Sequence, residues 1–221
     1  IYDGYYMSTV TWEKSKSPYI LHVDVNIEKS GTLIIEPGVE VVGNGKRIKV
    51  GGRLYAGYVE GHKNDNPKNE KVTINNTRLE AAGIGDRIMN LSHLNMTGGS
   101  ITVSSRERVL TQDFNLTNSS LKSTSIESQY AQGNITLDSN KFDNVRFYSR
   151  YHGASLVTWQ KPYEISGTVT FTNNTFENNA RIEINQHKLN TITINNNQFK
   201  NNSGGIYIEP HWAVTYGANY M

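Results

Sequence analysis

At 221 residues and 24.8 kDa the chain suits one domain, and 22 Lys+Arg against 20 Asp+Glu leave a net charge of +2. That balance supplies no basic surplus for a nucleic-acid partner, and no apolar run approaches the ~18 residues a membrane helix needs. Zero Cys excludes a thiol nucleophile, a Cys-ligated zinc or iron–sulfur site and a disulfide framework. Asn and Thr are frequent and Pro is held to 5, a composition that favours short strands with polar turns over helix. The start at Ile1, without a signal peptide, reads as a piece of a longer protein.

Residues 1–30 carry Tyr2, Tyr5, Tyr6, Trp12 and Tyr19 and are expected to cap one end of the fold and to supply its first strands. Ser17 to Ile27 alternates as a strand. Gly31 to Val42 reads as two strands joined at the Glu36-Pro37-Gly38 corner, followed by Arg47–Val50 and Gly52–Ala56. The stretch 61–71 has no apolar side chain and is expected to protrude as a loop.

From residue 74 onward a repeat takes over. An apolar residue is followed five positions later by a second, starting at Ile74, Leu91, Leu116, Leu137, Phe171 and Ile194 and reaching Leu79, Met96, Leu121, Phe142, Phe176 and Phe199. A third follows five to seven positions on, at Ile84, Ile101, Ile126, Phe147, Ile182 and Ile206. The starts are 17, 25, 21, 34 and 23 residues apart. A period near twenty-two, made of short strands and polar turns, predicts an all-β fold, a single right-handed parallel β-helix whose coils occupy 31–221. Polar residues recur just after the first apolar point, at Asn76, Asn118, Ser139, Asn140, Asn173, Asn174, Asn196 and Asn197. Stacked at ~4.8 Å, their amides can bond along the axis, and Asn tolerates the left-handed turns such corners need.

The stretch Ser17-Pro-Tyr-Ile20, then Gly31-Thr-Leu-Ile-Ile-Glu-Pro-Gly-Val-Glu-Val41 and Ile48 to Ala56, resembles the opening coils of right-handed parallel β-helix modules of the pectin-lyase-like fold. Such modules occur in secreted and surface proteins of bacteria and in large adhesive proteins of animal cell junctions. The resemblance implies architecture; the fold hosts lyases, hydrolases, adhesins and spacers alike.

A carbohydrate-active enzyme of this shape needs paired acidic residues or calcium-binding carboxylates. The position after the second apolar point reads Glu80, Thr97, Lys122, Asp143, Glu177 and Lys200, which makes Asp143 and Glu177 coil neighbours and the weak candidates for a catalytic pair. Lys122 and Lys200 flank them, as in a self-neutralising surface ladder. Around the third apolar point the outward positions read Gly83, Ser100, Ser125, Arg146, Arg181 and Gly205 on one side, and Gly85, Thr102, Glu127, Tyr148, Glu183 and Tyr207 on the other. Arg146, Tyr148, Arg181, Glu183 and Tyr207 are therefore candidates for a binding face, with cross-strand Arg–Glu pairing as the alternative. The long interval between the fourth and fifth units marks an insertion at 149–168, whose Tyr151, Trp159 and Tyr163 join the candidates.

The six His are scattered, with no metal-binding spacing, so neither metal nor cofactor is expected. Asn-x-Ser/Thr acceptors start at Asn75, Asn90, Asn95, Asn115, Asn118, Asn134, Asn173 and Asn201, about twice the number chance would place in so Asn-rich a chain. Ice binding would need regular Thr rows; Thr73, Thr136, Thr170 and Thr193 line up, but Asn90 and Asn115 interrupt them. The expectation is a non-catalytic extracellular or cell-surface module that presents a rigid face for adhesion, glycan or protein binding, or self-assembly, without nucleic acid or membrane insertion. The alternative is a polysaccharide lyase or glycoside hydrolase.

Overall fold

The computed structural model describes residues 4–57, 70–82, 87–104, 112–129, 134–150, 168–185, 191–202 and 204–209. Strands Tyr5–Tyr6, Thr9–Trp12 and Tyr19–Ile20 begin three sheets, here I, II and III. Among the described residues every third strand afterwards returns to the same sheet, giving nine strands in sheet I and eight each in sheets II and III. All neighbours pair in parallel, so the chain winds as a right-handed β-solenoid. Of the expected cap, residues 4–27 supply regular members of these sheets.

Successive side chains on a strand alternate between the two faces, and the apolar ones stack inward in rows along the axis. Leu91, Leu116, Leu137, Phe171 and Ile194 share one register row on sheet II. Met96, Leu121, Phe142, Phe176 and Phe199 share one on sheet III. Ile101, Ile126, Phe147, Ile182 and Ile206 share one on sheet I. These five units match the predicted triplets. The rings reinforce the stack, with Phe142 and Phe176 5.0 Å apart and Phe176 and Phe199 4.9 Å apart between centroids.

The earliest unit is displaced by one sheet. Ile74 pairs with Met96 on sheet III and Leu79 with Ile101 on sheet I, so they are second and third points of a coil. Its first point is Ala56, which pairs with Leu91, and the expected third point, Ile84, lies outside the described residues. The steps from sheet II to III and from III to I can both be five residues, so spacing alone does not tell them apart. Three row assignments move with this unit. Glu80 sits on sheet I between Lys49 and Thr102, away from the Asp143 row. Arg78 and Glu80 hold the register positions expected of Gly83 and Gly85. Thr73 pairs with Glu40 and Asn95 on sheet III, and the sheet II row with Thr136, Thr170 and Thr193 continues to Asn115 and Asn90.

The polar repeat serves two tasks at the corner from sheet II to III. His93, Asn118, Ser139, Asn173 and Asn196 take positive φ, between 50° and 57°, and turn the chain. The residues one step later, Ser119, Asn140, Asn174 and Asn197, point inward as a ladder. Asn140 Nδ2 donates to Asn174 Oδ1 (3.1 Å) and to Leu116 O (2.8 Å); Asn174 Nδ2 donates to Asn197 Oδ1 (3.0 Å) and to Leu137 O (2.8 Å). Each asparagine oxygen of the ladder also accepts a backbone N–H from the preceding coil at 2.9 Å, and Ser119 Oγ accepts that of Leu94 at 3.0 Å. A buried amide is tolerable only when satisfied in this way. The corner from sheet III to I uses Asn76, Ser123, Asn144, Asn178 and Asn201 at positive φ, together with Gly98. Beside it, a Cβ on Gly99 would lie 2.0 Å from Thr77 O, so only glycine fits there.

Candidate functional site

The binding-face candidates come together on the outer face of sheet I, toward its C-terminal edge. Strands Arg146–Arg150, Arg181–Asn185 and Ile206–Glu209 lie side by side, with Phe147, Ile182 and Ile206 pointing inward and their neighbours outward. Register places Arg146 beside Arg181, and Tyr148, Glu183 and Tyr207 in the adjoining row. Two like charges one ladder step apart repel, and Glu183 resolves the repulsion. Arg181 Nε donates to Glu183 Oε1 at 2.7 Å, while Arg146 Nε donates to Oε2 at 3.1 Å and its Nη2 also reaches Oε2. The Glu183 side chain is 18% exposed, against 45% and 47% for the two arginines, so the carboxylate lies beneath two outward guanidinium groups. The Arg146 guanidinium carbon sits 4.6 Å from the Tyr148 ring centroid. Tyr207, next to Glu183 in register, is largely exposed. Arg–Glu pairing, the alternative to a binding face, thus occurs, with both arginines converging on one carboxylate. Tyr151, Trp159 and Tyr163 lie outside the described residues, as do residues 61–69 of the expected polar loop at 61–71.

At the other end of the same face, Arg47 pairs with Asp24 at 2.8 Å and approaches Glu80 at 3.8 Å, and Lys49 lies 3.5 Å from Asp24. Partial burial would raise the Asp24 carboxyl, but hydrogen bonds from the Arg47 backbone and side chain outweigh it and hold the group below the usual range.

On sheet III, Asp143 and Glu177 are register neighbours. Glu177 is held by Lys141 at 2.8 Å. Asp143 accepts from Asn178 Nδ2 at 2.7 Å and lies 3.8 Å from Lys122. The hydrogen bond from Lys141 to Glu177 and their attraction push the lysine pKa up. The neutralising partner of Glu177 is Lys141 on the preceding strand, although Lys200 is its register neighbour. No group of three or more His, Asp or Glu among the described residues is placed to hold a metal, and no described helix is long and apolar enough to cross a membrane.

Of the acceptor asparagines, Asn95, Asn118, Asn134, Asn173 and Asn201 are exposed, whereas Asn75, Asn90 and Asn115 are half-buried in outward rows. Asn75 Nδ2 donates to Glu40 and Asn115 Nδ2 to Asn90 Oδ1. Sequence reasoning missed Arg87. It falls on the inward side of strand Arg87–Ser92, is 3% exposed, and its Nε and Nη1 have no hydrogen-bond partner among the described residues. Burial lowers its pKa. Nothing in the pattern marks a charged residue at a strand start as an inward one.

In comparisons with known proteins, the chain matches no family model, no curated protein and no solved structure.

Proposed function

We propose that the chain is a non-catalytic module of a larger secreted or surface protein. In this reading it has the pectin-lyase-like type of β-helix and meets an extracellular glycan or protein through the outer face of sheet I. The observation that carries the reading is the Glu183 clamp. A guanidinium has five N–H donors; Glu183 engages two of Arg146 and one of Arg181, so further donors can meet a ligand carboxylate, sulfate or hydroxyl. Because the clamp orders both side chains in advance, binding costs less side-chain entropy. Tyr148 and Tyr207 add flat apolar area suited to a sugar ring or a protein side chain.

The test is the double variant Arg181→Ala with Tyr207→Ala, assayed for thermal unfolding and for binding to arrayed acidic and neutral glycans and to matrix proteins. Surface pairs contribute about 0–1 kcal/mol, so folding should hold while binding falls about tenfold or more. Unchanged binding to every ligand the parent captures would remove this face from consideration.

A second reading, a glycan-cleaving enzyme, draws on the Asp143–Glu177 register pair, whose strands lie ~4.8 Å apart, near the ~5 Å of a retaining pair. The lysine contacts argue for the module. Turnover of a polyuronate or glycosaminoglycan that is lost in both Asp143→Asn and Glu177→Gln would favour the enzyme.

A further inference from the structure

We infer that Asn95 carries an N-linked glycan on the outer face of sheet III, and that the half-buried acceptors Asn90 and Asn115 carry none. The inference rests on the secreted or surface reading above, because this modification belongs to chains that enter a secretory route. In the transfer, Asn Nδ2 attacks the first carbon of an oligosaccharide held on a lipid diphosphate. A C–N bond forms as the bond from that carbon to the diphosphate oxygen breaks. The lipid diphosphate leaves, and one amide proton passes to a base of the transferase. A transferase that meets the chain before it folds reads only the tripeptide. The fold then acts as a filter. A bulky, solvated glycan must leave the surface, so an acceptor whose amide is packed or bonded into the sheet loses the fold once it is modified.

Asn95 passes that filter. Strand Leu94–Thr97 buries Leu94 and Met96 and exposes Asn95 and Thr97. Alternation thus sets the acceptor amide and the hydroxyl of its tripeptide on one outward face. The register neighbours of Asn95 are Thr73 and Ser120, both short, and its side chain makes no hydrogen bond among the described residues. The strand is the fourth of the eight in sheet III, so the glycan would stand midway along a face other than the one that carries the Glu183 clamp.

The other acceptors differ in ways the tripeptide does not show. Asn115 Nδ2 donates to Asn90 Oδ1 at 2.7 Å, and the two lie half-buried in one row between Tyr55 and Thr136. Tyr55 is itself only 7% exposed, so a sugar on Asn90 would meet a covered ring. Asn75 Nδ2 donates to Glu40 at 3.3 Å and Asn173 Nδ2 to Asp138 at 2.9 Å, while Asn134 Oδ1 accepts from Thr168 Oγ1 at 2.9 Å. Asn118 is exposed, but it turns a corner at φ 50°, and its hydroxyl partner, Ser120, is the half-buried register neighbour of Asn95. A glycan there would crowd one on Asn95. Ser203, the hydroxyl residue of the Asn201 acceptor, lies outside the described residues.

The test uses the full chain, expressed behind a secretion leader in cultured mammalian cells and collected from the medium. Removal of the glycans by a peptide amidase in heavy-oxygen water converts each modified Asn to a labelled Asp, and peptide mapping then reads every acceptor. Asn95 should be labelled in most molecules, and Asn90 and Asn115 in none. On a gel, Asn95→Gln and Thr97→Ala should each lose the mass of one glycan. Thr97→Ser, which keeps the acceptor tripeptide, should retain it, and Asn115→Gln should leave the pattern unchanged. Secreted chain with a bare Asn95, or with label at Asn90 or Asn115, overturns the inference and leaves the secreted reading standing. Chain held inside the cells in every variant would overturn that reading, and the inference with it.

Discussion

The two ends of the solenoid use the same register rows with opposite outcomes. Tyr19 heads the row that ends at Phe199, Trp12 the row that ends at Ile194, and Tyr6 the row that ends at Ile208. At the first coil these side chains are 2%, 1% and 7% exposed; at the last, Phe199 and Ile208 are 39% and 48% exposed. Size and mutual contact make the difference. Trp12 stacks on Tyr19 at 4.8 Å, its indole N–H donates to the Tyr6 hydroxyl at 3.2 Å, and the Tyr19 hydroxyl accepts the Glu13 N–H at 2.8 Å. Three large rings with satisfied polar tips bury one another, even with a single coil beneath them. In the last described coil a phenyl ring stacked on Phe176 and branched aliphatic residues leave much of their surface exposed.

The largest expected effect breaks this comparison at the core. Phe176→Ala should cost about 3–5 kcal/mol, since it opens a cavity between Phe142 and Phe199 at a fully buried position. Phe199→Ala removes the same ring one coil later, where much of it already meets water, and should cost less than half as much. Urea unfolding of both variants measures the gap. Equal losses would mean that Phe199 is covered as well as Phe176, and the contrast between the ends would disappear.

The same stacking logic explains what could be read without coordinates. From Leu91 to Ile206 the three apolar points of each unit pair with those of the neighbouring unit, so five coils align by spacing alone. Ile74 misleads because its five-residue step to Leu79 crosses a different corner. The 17-residue interval from Ile74 to Leu91 was the sign of a shifted unit, being too short for a coil. The true first point, Ala56, is too small to stand out as a core position. Register was likewise enough to bring Arg146, Arg181 and Glu183 together. It could not supply the convergence of both arginines on one carboxylate, because spacing sets Cα positions and leaves side-chain torsions free. The burial of Arg87 left no trace in the sequence for a related reason: hydrophobic periodicity cannot register an inward residue that is not hydrophobic.

A smaller effect sharpens the comparison along the polar row. Asn174→Leu keeps the volume but removes the amide that donates to Leu137 O and Asn197 Oδ1 and accepts the Asn140 N–H and Nδ2–H. Orphaned buried partners cost about 1–3 kcal/mol. Asn197→Leu, at the partly exposed end of the ladder, should cost less, because water can replace what is lost. Thermal melts of the pair decide it. A larger loss at Asn197 would mean that the ladder is anchored from its C-terminal end.

The smallest effect concerns Asp138, on the outer face of sheet II, and it is visible only through pH. Partial burial would raise its pKa, but hydrogen bonds from Thr172 Oγ1 (2.6 Å), Asn173 Nδ2 (2.9 Å) and Ser139 Oγ (3.1 Å) outweigh burial and lower it. A carboxyl with a depressed folded pKa adds stability above its unfolded pKa, about 3.9 for Asp, and loses that contribution as pH falls through the folded value. Asp138→Asn removes the charge. The variant should therefore melt below the parent at pH 7, with a deficit of about 1 kcal/mol or less, given how well water screens a partly exposed group. The difference should begin to shrink below about pH 4, and the two melting curves should converge once the pH is below the depressed folded value and the parent is protonated as well. This carboxylate ties two coils, since Thr172 and Asn173 lie one coil beyond it, so convergence would show the ionised form doing the tying. A deficit that persists unchanged from pH 7 to pH 3 would assign the loss to side-chain shape and leave the charge without a role in the sheet II face.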